Sequence, residues 1–384
     1  RSKKYLAEAK AAAEAIIKSG KFALTPGAEG YRANYNSLEL AGNTEMIMYK
    51  NYVQNVLRHA TQDYCCGSTP TNGMSKAAFN AYLKKDGTLA DKNDDHGVLG
   101  TEGYDAGKPV IYHLLEARDP RLAQQIDGYL CYVGNNRARY EGVEGQIGAA
   151  ENTVTTGYGI LKFDEPETPS GLRQSTTGNV TDCPLFWYAE ILLTHAEACA
   201  ELGEEAAAKE SLNALRNRVG MEPYTVAVND PANKIGVSDL IWEIRRERRM
   251  EFFMEQVRVV DIRRWGWLEL MNASVNPDIQ YGCWMDFNDT KNNLKAFNLL
   301  TGANFGKVGV MKEDGTIVMF DGEKDEKGNI LSSNAADMVG YRVVQNFKDR
   351  DRMEEKHYLE PICKDVLNQY KDAGYTIKQN AGWE

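Results

Sequence analysis

The stretch SDLIWEIRRERRMEFFMEQVRVVDIRRWGW, residues 238–267, decides how this chain folds. Ser238 is a typical helix N-cap, and no glycine or proline interrupts the run before Gly266, so the pattern predicts one long helix. At 3.6 residues per turn, one face of that helix is apolar. It collects Leu240, Ile244, Met254, Ile262 and Trp265. The same face also carries Glu247, Glu251 and Arg258.

The charged members of that face allow three interpretations: structural pairing, a catalytic pair or contact with a ligand. Glu247 and Glu251 lie one turn apart, with roughly 6 Å between their Cβ atoms. A retaining glycosidase needs two carboxyl groups about 5–5.5 Å apart, so a catalytic pair is one hypothesis. Arg248 precedes Glu251 by three residues, and Arg258 follows Glu255 at the same spacing. Neighbouring guanidinium groups lower a carboxyl pKa, whereas a general acid needs a raised one. We therefore predict that these charges are paired in a helix–helix interface.

Composition limits the class of protein. The 384 residues carry a net charge of −10, with 42% hydrophobic and 26% charged residues, which is typical of a soluble globular protein. A nucleic-acid binder usually has a basic surface, so the negative charge argues against nucleic acid as a partner. The sequence contains no run of 18 apolar residues that could span a bilayer. Its seven cysteines show no CxxC pair and no zinc-like spacing.

Helical patterns recur elsewhere in the chain. Residues 3–19 are alanine-rich and helical, and a short helix is predicted near 363–372. Residues 184–219 predict a helical hairpin that Pro184 opens and Gly203 turns. Its length and its small alanines at the crossing resemble a tetratricopeptide repeat, a unit that buries its apolar face only by stacking on neighbours.

Long segments rich in Gly, Asn, Asp and Tyr separate these helices. Segments of such length are functional or carry small hairpins of their own. The stretch GTIVMFDGEKDEKGNI, residues 315–330, has the alternation and turn residues of one hairpin. The predicted fold class is mainly α: a tetratricopeptide-like helical-repeat scaffold with large irregular loop-rich insertions and minor β hairpins.

Six pieces of the sequence, taken together, resemble the SusD/RagB family of outer-membrane glycan-binding lipoproteins. In chain order they are EARDPRL (116–122), YAEILLTHAEACAELGE (188–204), ALRNRVGM (214–221), RRERRMEFFMEQVRVVDIRRW (245–265), YLEPI (358–362) and QNAGW (379–383). Each piece alone is weak, but six in the family's order are not expected by chance.

We expect a single SusD-like domain over residues 1–384. The helical scaffold is predicted in about 1–24, 184–271 and 346–384. The loop-rich, ligand-binding excursions are predicted in about 25–182 and 272–345.

The chain also departs from the family pattern. Trp187 stands where the family usually has arginine, Gln256 replaces a glycine, and Ala381 replaces a proline. The lipoprotein signal, acylated cysteine and further helices with which the family begins are not in this sequence. We therefore expect the chain to correspond to the C-terminal two-thirds of such a protein, or to a processed form.

The resemblance implies a non-enzymatic nutrient-binding protein that acts in polysaccharide utilisation at the cell surface. A lipid on an N-terminal segment, not present in this sequence, would tether it to the outer membrane. There it would deliver an oligosaccharide, or in some relatives a peptide, to a SusC-like TonB-dependent transporter. No catalytic residue and no cofactor is expected. The alternatives are a helical-repeat scaffold that binds only protein and, less favoured, a carboxylate-dependent glycoside hydrolase.

A possible metal site lies in DKNDDHGVLGTE, residues 91–102. Asp91, Asn93, Asp95 and Glu102 occupy the first, third, fifth and twelfth positions of a calcium loop. His96, however, stands where that loop needs glycine. We therefore favour a solvated acidic turn, and a structural calcium ion is the alternative.

Aromatic residues in polar loops are the candidate ligand-binding side chains. A sugar ring has an apolar C–H face and a rim of hydroxyl groups, which suits an aromatic plate surrounded by polar groups. The loops RHATQDYCCG (58–67) and NPDIQYGCWMDFND (276–289) have that mixture. The predicted stacking residues, in order of preference, are Trp284, Tyr64 and Tyr281, with Arg58 and Asp286 as polar contacts. The alternative is that each aromatic residue packs its own loop onto the scaffold.

Overall fold

The protein's secondary structure is mainly helical. The computed structural model describes residues 2–66, 73–96, 104–105, 108–109, 111–126, 156–173, 175, 177–255, 257–286, 309–320, 322–324, 330–343 and 352–383. Its helices are α1 (Ser2–Lys18), α2 (Gly27–Asn36), α3 (Thr61–Cys66), α4 (Lys76–Phe79), α5 (Ile111–Ala117), α6 (Leu122–Gln125), α7 (Ser170–Arg173), α8 (Tyr188–Leu202), α9 (Glu205–Arg218), α10 (Asp239–Glu251), α11 (Val257–Trp265) and α12 (Lys364–Asp372). Single 3-10 turns lie at Leu268–Met271, Pro277–Gln280, Ala335–Asp337 and Glu355–Tyr358.

The strands form small antiparallel sheets. They are β1 (Met46–Lys50), β2 (Tyr104–Asp105), β3 (Lys108–Pro109), β4 (Cys183–Trp187), β5 (Tyr281–Asp286), β6 (Gly309–Met311), β7 (Ile317–Met319), β8 (Gly322–Lys324), β9 (Ile330–Ser333) and β10 (Val339–Val343). The pairs β1–β4, β2–β3 and β8–β9 are two-stranded, and one sheet has four strands in the order β5–β10–β6–β7. The predicted fold class is confirmed. The stretch 315–330 contributes to two hairpins, β6–β7 and β8–β9, and not to one.

The helical scaffold is built around α8. Helices α1, α9 and α10 all pack against it, and Gly203 turns the chain between α8 and α9 with a φ of 85°. The prediction that Pro184 opens this hairpin is wrong, since Cys183–Trp187 form β4 opposite β1 and α8 begins at Tyr188. The residues of Cys183–Trp187 include aromatic and apolar side chains, which favour a strand. The backbone hydrogen bonds between β4 and β1 outweigh the preference of proline for the first turn of a helix.

The single long helix predicted over 238–266 is also wrong. Helix α10 ends at Glu251, and α11 begins at Val257. Met254, between them, has a left-handed backbone with a φ of 65°. The buried Lys162 ammonium holds this break: it donates to the Phe253 carbonyl at 2.8 Å and contacts the Glu255 carboxylate. Neither glycine nor proline marks the position, so the sequence carried no local signal for it.

Glu247 and Glu251 are buried in ion pairs, which confirms the structural interpretation of their face. The Arg121 Nη1 atom lies 2.5 Å from Glu247 Oε1 and 2.9 Å from Glu251 Oε2. The same guanidinium also pairs with Asp119 at 2.6 Å. A buried charge is tolerated only when it is paired and hydrogen-bonded, and here one arginine serves three carboxylates.

Two arginines at the end of α9 complete this cluster. Arg216 Nη2 lies 2.8 Å from Glu243 Oε2, and its Nε lies 3.3 Å from Glu247. Arg218 bridges α10 to the segment before β1, at 2.6 Å from Glu251 and 3.3 Å from Glu45. We call these residues the buried charge network. Its members are Glu45, Asp119, Arg121, Arg216, Arg218, Glu243, Glu247 and Glu251.

The partners expected within the helix are not the ones observed. Arg248 pairs with Asp261 at 3.0 Å and not with Glu251. Arg258 makes no ion pair with the residues that the structure describes, and its guanidinium lies 5.8 Å from the centre of the Trp265 ring. The pairing predicted for Arg258 is therefore wrong in the described structure. Spacing along one continuous helix could not reveal the Arg248–Asp261 pair, because the two residues lie on separate helices, α10 and α11.

No helix within the described residues is both long and apolar enough to cross a membrane. The division into one domain with helical scaffold and loop-rich excursions stays a prediction. Several short helices, α2 to α7, lie inside the first of the segments predicted to be loop-rich.

Replacing Arg121 by methionine tests the buried charge network. The Arg121→Met variant should lose about 3–5 kcal/mol of unfolding free energy, because removing one partner of a buried pair leaves an uncompensated charge. Lys209→Met is the matched control, since Lys209 pairs with Glu205 on an exposed face at 3.4 Å, where a pair contributes at most about 1 kcal/mol. Urea unfolding measures both. Equal, small losses for the two variants would contradict the network's role.

The left-handed backbone at Met254 gives a second prediction. Met254→Ala and Met254→Gly remove the same side-chain packing, but only glycine adopts a positive φ without steric cost. The glycine variant should therefore be more stable than the alanine variant by about 1 kcal/mol in urea unfolding. If the alanine variant is as stable, or more so, α10 and α11 form one continuous helix in solution.

Candidate functional site

The four-stranded sheet places two aromatic residues side by side. Trp284 of β5 lies opposite Tyr341 of β10 in the strand register, and Tyr341 lies opposite Met311 of β6. Gly340 permits the close approach of these strands, because a Cβ atom there would overlap the Met311 carbonyl oxygen. The sheet therefore sets the position of both rings through backbone pairing.

His96 completes an aromatic cluster with these two residues. Its ring stacks on the Trp284 indole, with 3.7 Å between centroids and 28° between planes. Tyr341 meets the indole edge-on at 5.1 Å and lies 5.3 Å from the imidazole. All three residues are half-buried. We call His96, Trp284 and Tyr341 the platform.

The buried carboxylate of Asp95 fixes the platform to neighbouring parts of the structure. Asp95 accepts hydrogen bonds from the Lys76 ammonium and the Tyr158 hydroxyl, each at 2.6 Å, and from the Trp284 backbone N–H at 3.2 Å. Asp95 is fully buried, so the turn that carries His96 is fixed directly to β5. Unpaired, such a carboxylate would carry a large desolvation cost, which the three donors and the positive charge offset.

The predicted solvated acidic turn is wrong for Asp95, because this carboxylate is buried and paired. Asp91 and Asn93 are exposed, as a solvated turn requires, whereas Glu102 lies outside the described residues. The Asp91 carboxylate accepts from the Asn93 backbone N–H at 2.9 Å. Within the part of the chain that the structure describes, no three His, Cys, Asp or Glu side chains are grouped to hold a metal ion. The calcium hypothesis gains no support from this geometry.

The rim of the platform is polar. The Tyr341 hydroxyl donates to Asn93 Oδ1 at 2.8 Å and lies 2.7 Å from His96 Nε2. Burial, and to a smaller extent Lys76, lowers the pKa of His96, while nearby carboxylates oppose that shift. The lowered pKa favours the neutral imidazole at pH 7. Asn93 and Glu313 at the edge are exposed to solvent.

The predicted ligand residues fall in different places. Trp284 belongs to the platform, whereas Tyr64 lies on α3 with 47% of its surface exposed. Arg58 is exposed in the segment before α3. Tyr281 is only 6% exposed, and burial raises the pKa of its hydroxyl, so its ring offers no face to a sugar. The side chain of Asp286 lies outside the described residues.

His96 and Tyr341 were missed by the sequence analysis. His96 was considered only as the residue that spoils a calcium loop. Tyr341 lies in the run MVGYRVV, residues 338–344, whose alternation is typical of a strand. Nothing local indicates that these two side chains meet Trp284, because the contacts span 188 and 57 residues of sequence.

The carboxylates of α10 are unsuited to catalysis. Burial alone would raise the pKa of Glu251, but Arg218 and Arg121 outweigh it and hold that pKa below its ordinary value. A glycosidase general acid needs the opposite shift. Both Glu247 and Glu251 are fully enclosed and paired with arginines, so no substrate could reach them.

Solved structures share this fold. A SusD-like protein from Bacteroides fragilis matches with a TM-score of 0.54 and 19% identity, over 99% of this chain and 62% of that one. A SusD-like carbohydrate-binding protein from the same organism matches with a TM-score of 0.53 and 23% identity, over 94% and 59%. This chain thus spans about three-fifths of the length of both proteins. Identities this low show a shared fold and no more.

The sequence itself identifies the family. No curated protein matches it. The family model described as the SusD family matches residues 44–383, which is most of the chain. That match includes the buried charge network and the platform, together with the helical hairpin α8–α9. The chain therefore belongs to the SusD family.

Proposed function

We propose that this protein binds carbohydrate at the platform and does not cleave it. The observation that carries the proposal is the half-buried cluster of Trp284, His96 and Tyr341 with an exposed polar rim. An indole held by a stacked imidazole and an edge-on phenol is rigid before ligand arrives, so little conformational entropy is lost on binding. The apolar C–H face of a sugar ring packs on the face of an aromatic ring.

The polar rim supplies the second half of sugar recognition. Asn93 offers an amide and Glu313 a carboxylate at the edge of the rings; a sugar hydroxyl can donate to either group and can accept from the amide N–H. Membership in the SusD family and the fold shared with a SusD-like carbohydrate-binding protein support the same ligand class. The absence of an accessible carboxylate pair on α10 supports binding over hydrolysis.

We extend the proposal to the cellular role. The protein is a nutrient-binding protein of the outer membrane surface, tethered by a lipid, and it delivers an oligosaccharide to a SusC-like TonB-dependent transporter. Family membership supports this role. A copurification of the two proteins from membranes, lost when the transporter gene is deleted, would test it.

A protein-contact surface is the second candidate function. Met48 and Phe186 lie opposite each other across β1 and β4, with 51% and 54% of their surfaces exposed. An exposed apolar pair on a two-stranded sheet favours contact with another protein. This surface supports both the transporter partner and the alternative of a scaffold that binds only protein. Saccharide binding at the platform distinguishes the two.

Trp284→Ala tests carbohydrate binding. The variant should weaken binding of oligosaccharides at least tenfold, about 1.4 kcal/mol, because it removes the stacking surface. Isothermal titration against a panel of plant and host oligosaccharides measures the affinity, which we expect in the micromolar to millimolar range. Trp284→Phe keeps an aromatic ring at this position and should retain part of the affinity.

Tyr375→Ala is the matched control. Tyr375 is an exposed tyrosine whose ring contacts Tyr370 and is not a member of the platform, so its removal should leave affinity unchanged. Circular dichroism and thermal unfolding confirm that each variant is folded. Wild-type affinity in a folded Trp284→Ala protein would show that the platform is not the sugar site, and the ligand would then have to contact Tyr64 or another surface.

A further inference from the structure

The platform is surrounded by negative charge. Glu313 lies 3.6 Å from His96 Nδ1, and Asp278 accepts from the amide of Asn80, the residue that follows α4, at 3.3 Å. Asp91 lies on the turn that carries His96. Burial raises the pKa of the Tyr341 hydroxyl, and the carboxylates of Asp95, Asp278, Glu313 and Asp91 raise it further, which places all four within electrostatic reach of this ring.

Cations balance only part of this charge. The Lys76 ammonium lies 5.0 Å from the Tyr341 ring centre, but it is buried and paired with Asp95 at 2.6 Å. Lys312, next to Glu313, lies 3.8 Å from Asp337. Within the described residues, Asp91, Asp278 and Glu313 have no lysine or arginine partner. Burial lowers the pKa of His96, so its imidazole adds little positive charge at pH 7.

We propose that the platform selects glycans by charge: it accepts neutral and amino-sugar oligosaccharides and rejects those that carry uronate or sulfate groups. This inference rests on the carbohydrate binding proposed above. A carboxylate or sulfate on a sugar stacked against Trp284 would be repelled by the carboxylates of Asp91, Asp278 and Glu313, which have no lysine or arginine partner in the part of the chain that the structure describes. A protonated amine in the same position would instead be attracted to them.

Electrostatic repulsion acts over a distance that covers the carboxylates around the platform. Charges at a partly exposed site interact over about 10 Å at 0.1 M salt, and added salt screens them. An aromatic ring face stacks on any pyranose of suitable shape, so stacking discriminates poorly between a neutral sugar and its uronate. Repulsion of the unwanted ligand is a common source of specificity where contacts to the wanted one are shared.

A glycan array with neutral, amino, uronate and sulfated members tests the inference at about 0.05 M and about 0.5 M NaCl. We expect the bound glycans to be neutral or amino-bearing. For matched pairs that differ only in one carboxylate, titration at low salt should show at least tenfold weaker binding of the uronate. At high salt the difference should fall to about threefold or less, since the charges are then screened.

Two variants assign the selectivity to the rim. Asp91→Asn and Asp278→Asn, combined, should raise uronate affinity several-fold and leave the affinity for the neutral partner unchanged. Glu205→Gln removes an exposed carboxylate on α9 and is the matched control, with no expected change in either affinity.

These experiments distinguish a failure of the carbohydrate proposal from a failure of the charge selectivity. No glycan bound, or binding unaffected by Trp284→Ala, would overturn the carbohydrate proposal itself. Uronates bound as tightly as their neutral partners, in a manner that Trp284→Ala abolishes, would overturn only the charge selectivity. Selectivity that the combined rim variant does not alter would also contradict it, because the discrimination would then arise elsewhere.

Discussion

The burial of three α10 carboxylates is the constraint on which the rest of this structure depends. Glu243, Glu247 and Glu251 lie one turn apart and are all fully buried. Removing such charges from water costs several kcal/mol for each ion, and only close guanidinium partners in good geometry offset that cost. The partners, Arg121 and the two arginines at the end of α9, come from different parts of the chain. Their geometry therefore dictates where these segments lie relative to α10.

Packed and hydrogen-bonded residues of the core connect α10 to the platform. Gln125, one turn after Arg121, donates to the Met250 carbonyl of α10 at 2.6 Å. Met250 belongs to a hydrophobic cluster that also contains Tyr158 and Cys283. Tyr158 donates to Asp95, which anchors both the His96 turn and β5. A continuous set of packed and hydrogen-bonded groups thus joins the scaffold to the aromatic rings.

Local periodicity accounts for what could be predicted from the sequence. Helices α1, α9 and α12 follow from apolar spacing and helix-ending residues, and so does the burial of Glu247 and Glu251. Their partners could not be predicted, because Arg121 lies 126 residues before Glu247 and no spacing rule relates them. The break at Met254 was missed because it depends on Lys162, which lies 91 residues before Phe253 in sequence.

The candidate site, too, could be predicted from the sequence only in part. Trp284 was singled out because a tryptophan in a polar stretch has little reason to be there unless it packs or binds. Tyr281 was judged by the same rule and is buried, because the stretch is a strand and not a loop. Side chains alternate along a strand, so Tyr281 and Cys283 face the core, while Trp284 lies on the other face of the strand with His96 and Tyr341. His96 and Tyr341 reach Trp284 only through tertiary pairing, which a single sequence does not reveal.

A double-mutant cycle between Arg121 and Glu251 tests the central claim most directly. The unfolding free energies of Arg121→Met, Glu251→Leu and the double variant give the coupling between the two side chains, free of effects that each variant has alone. The account predicts a favourable coupling of about 2 kcal/mol or more, with the double variant less destabilised than the sum of the single variants. A coupling near zero would show that the two charges are independently solvated, and the buried charge network would then not hold the scaffold together.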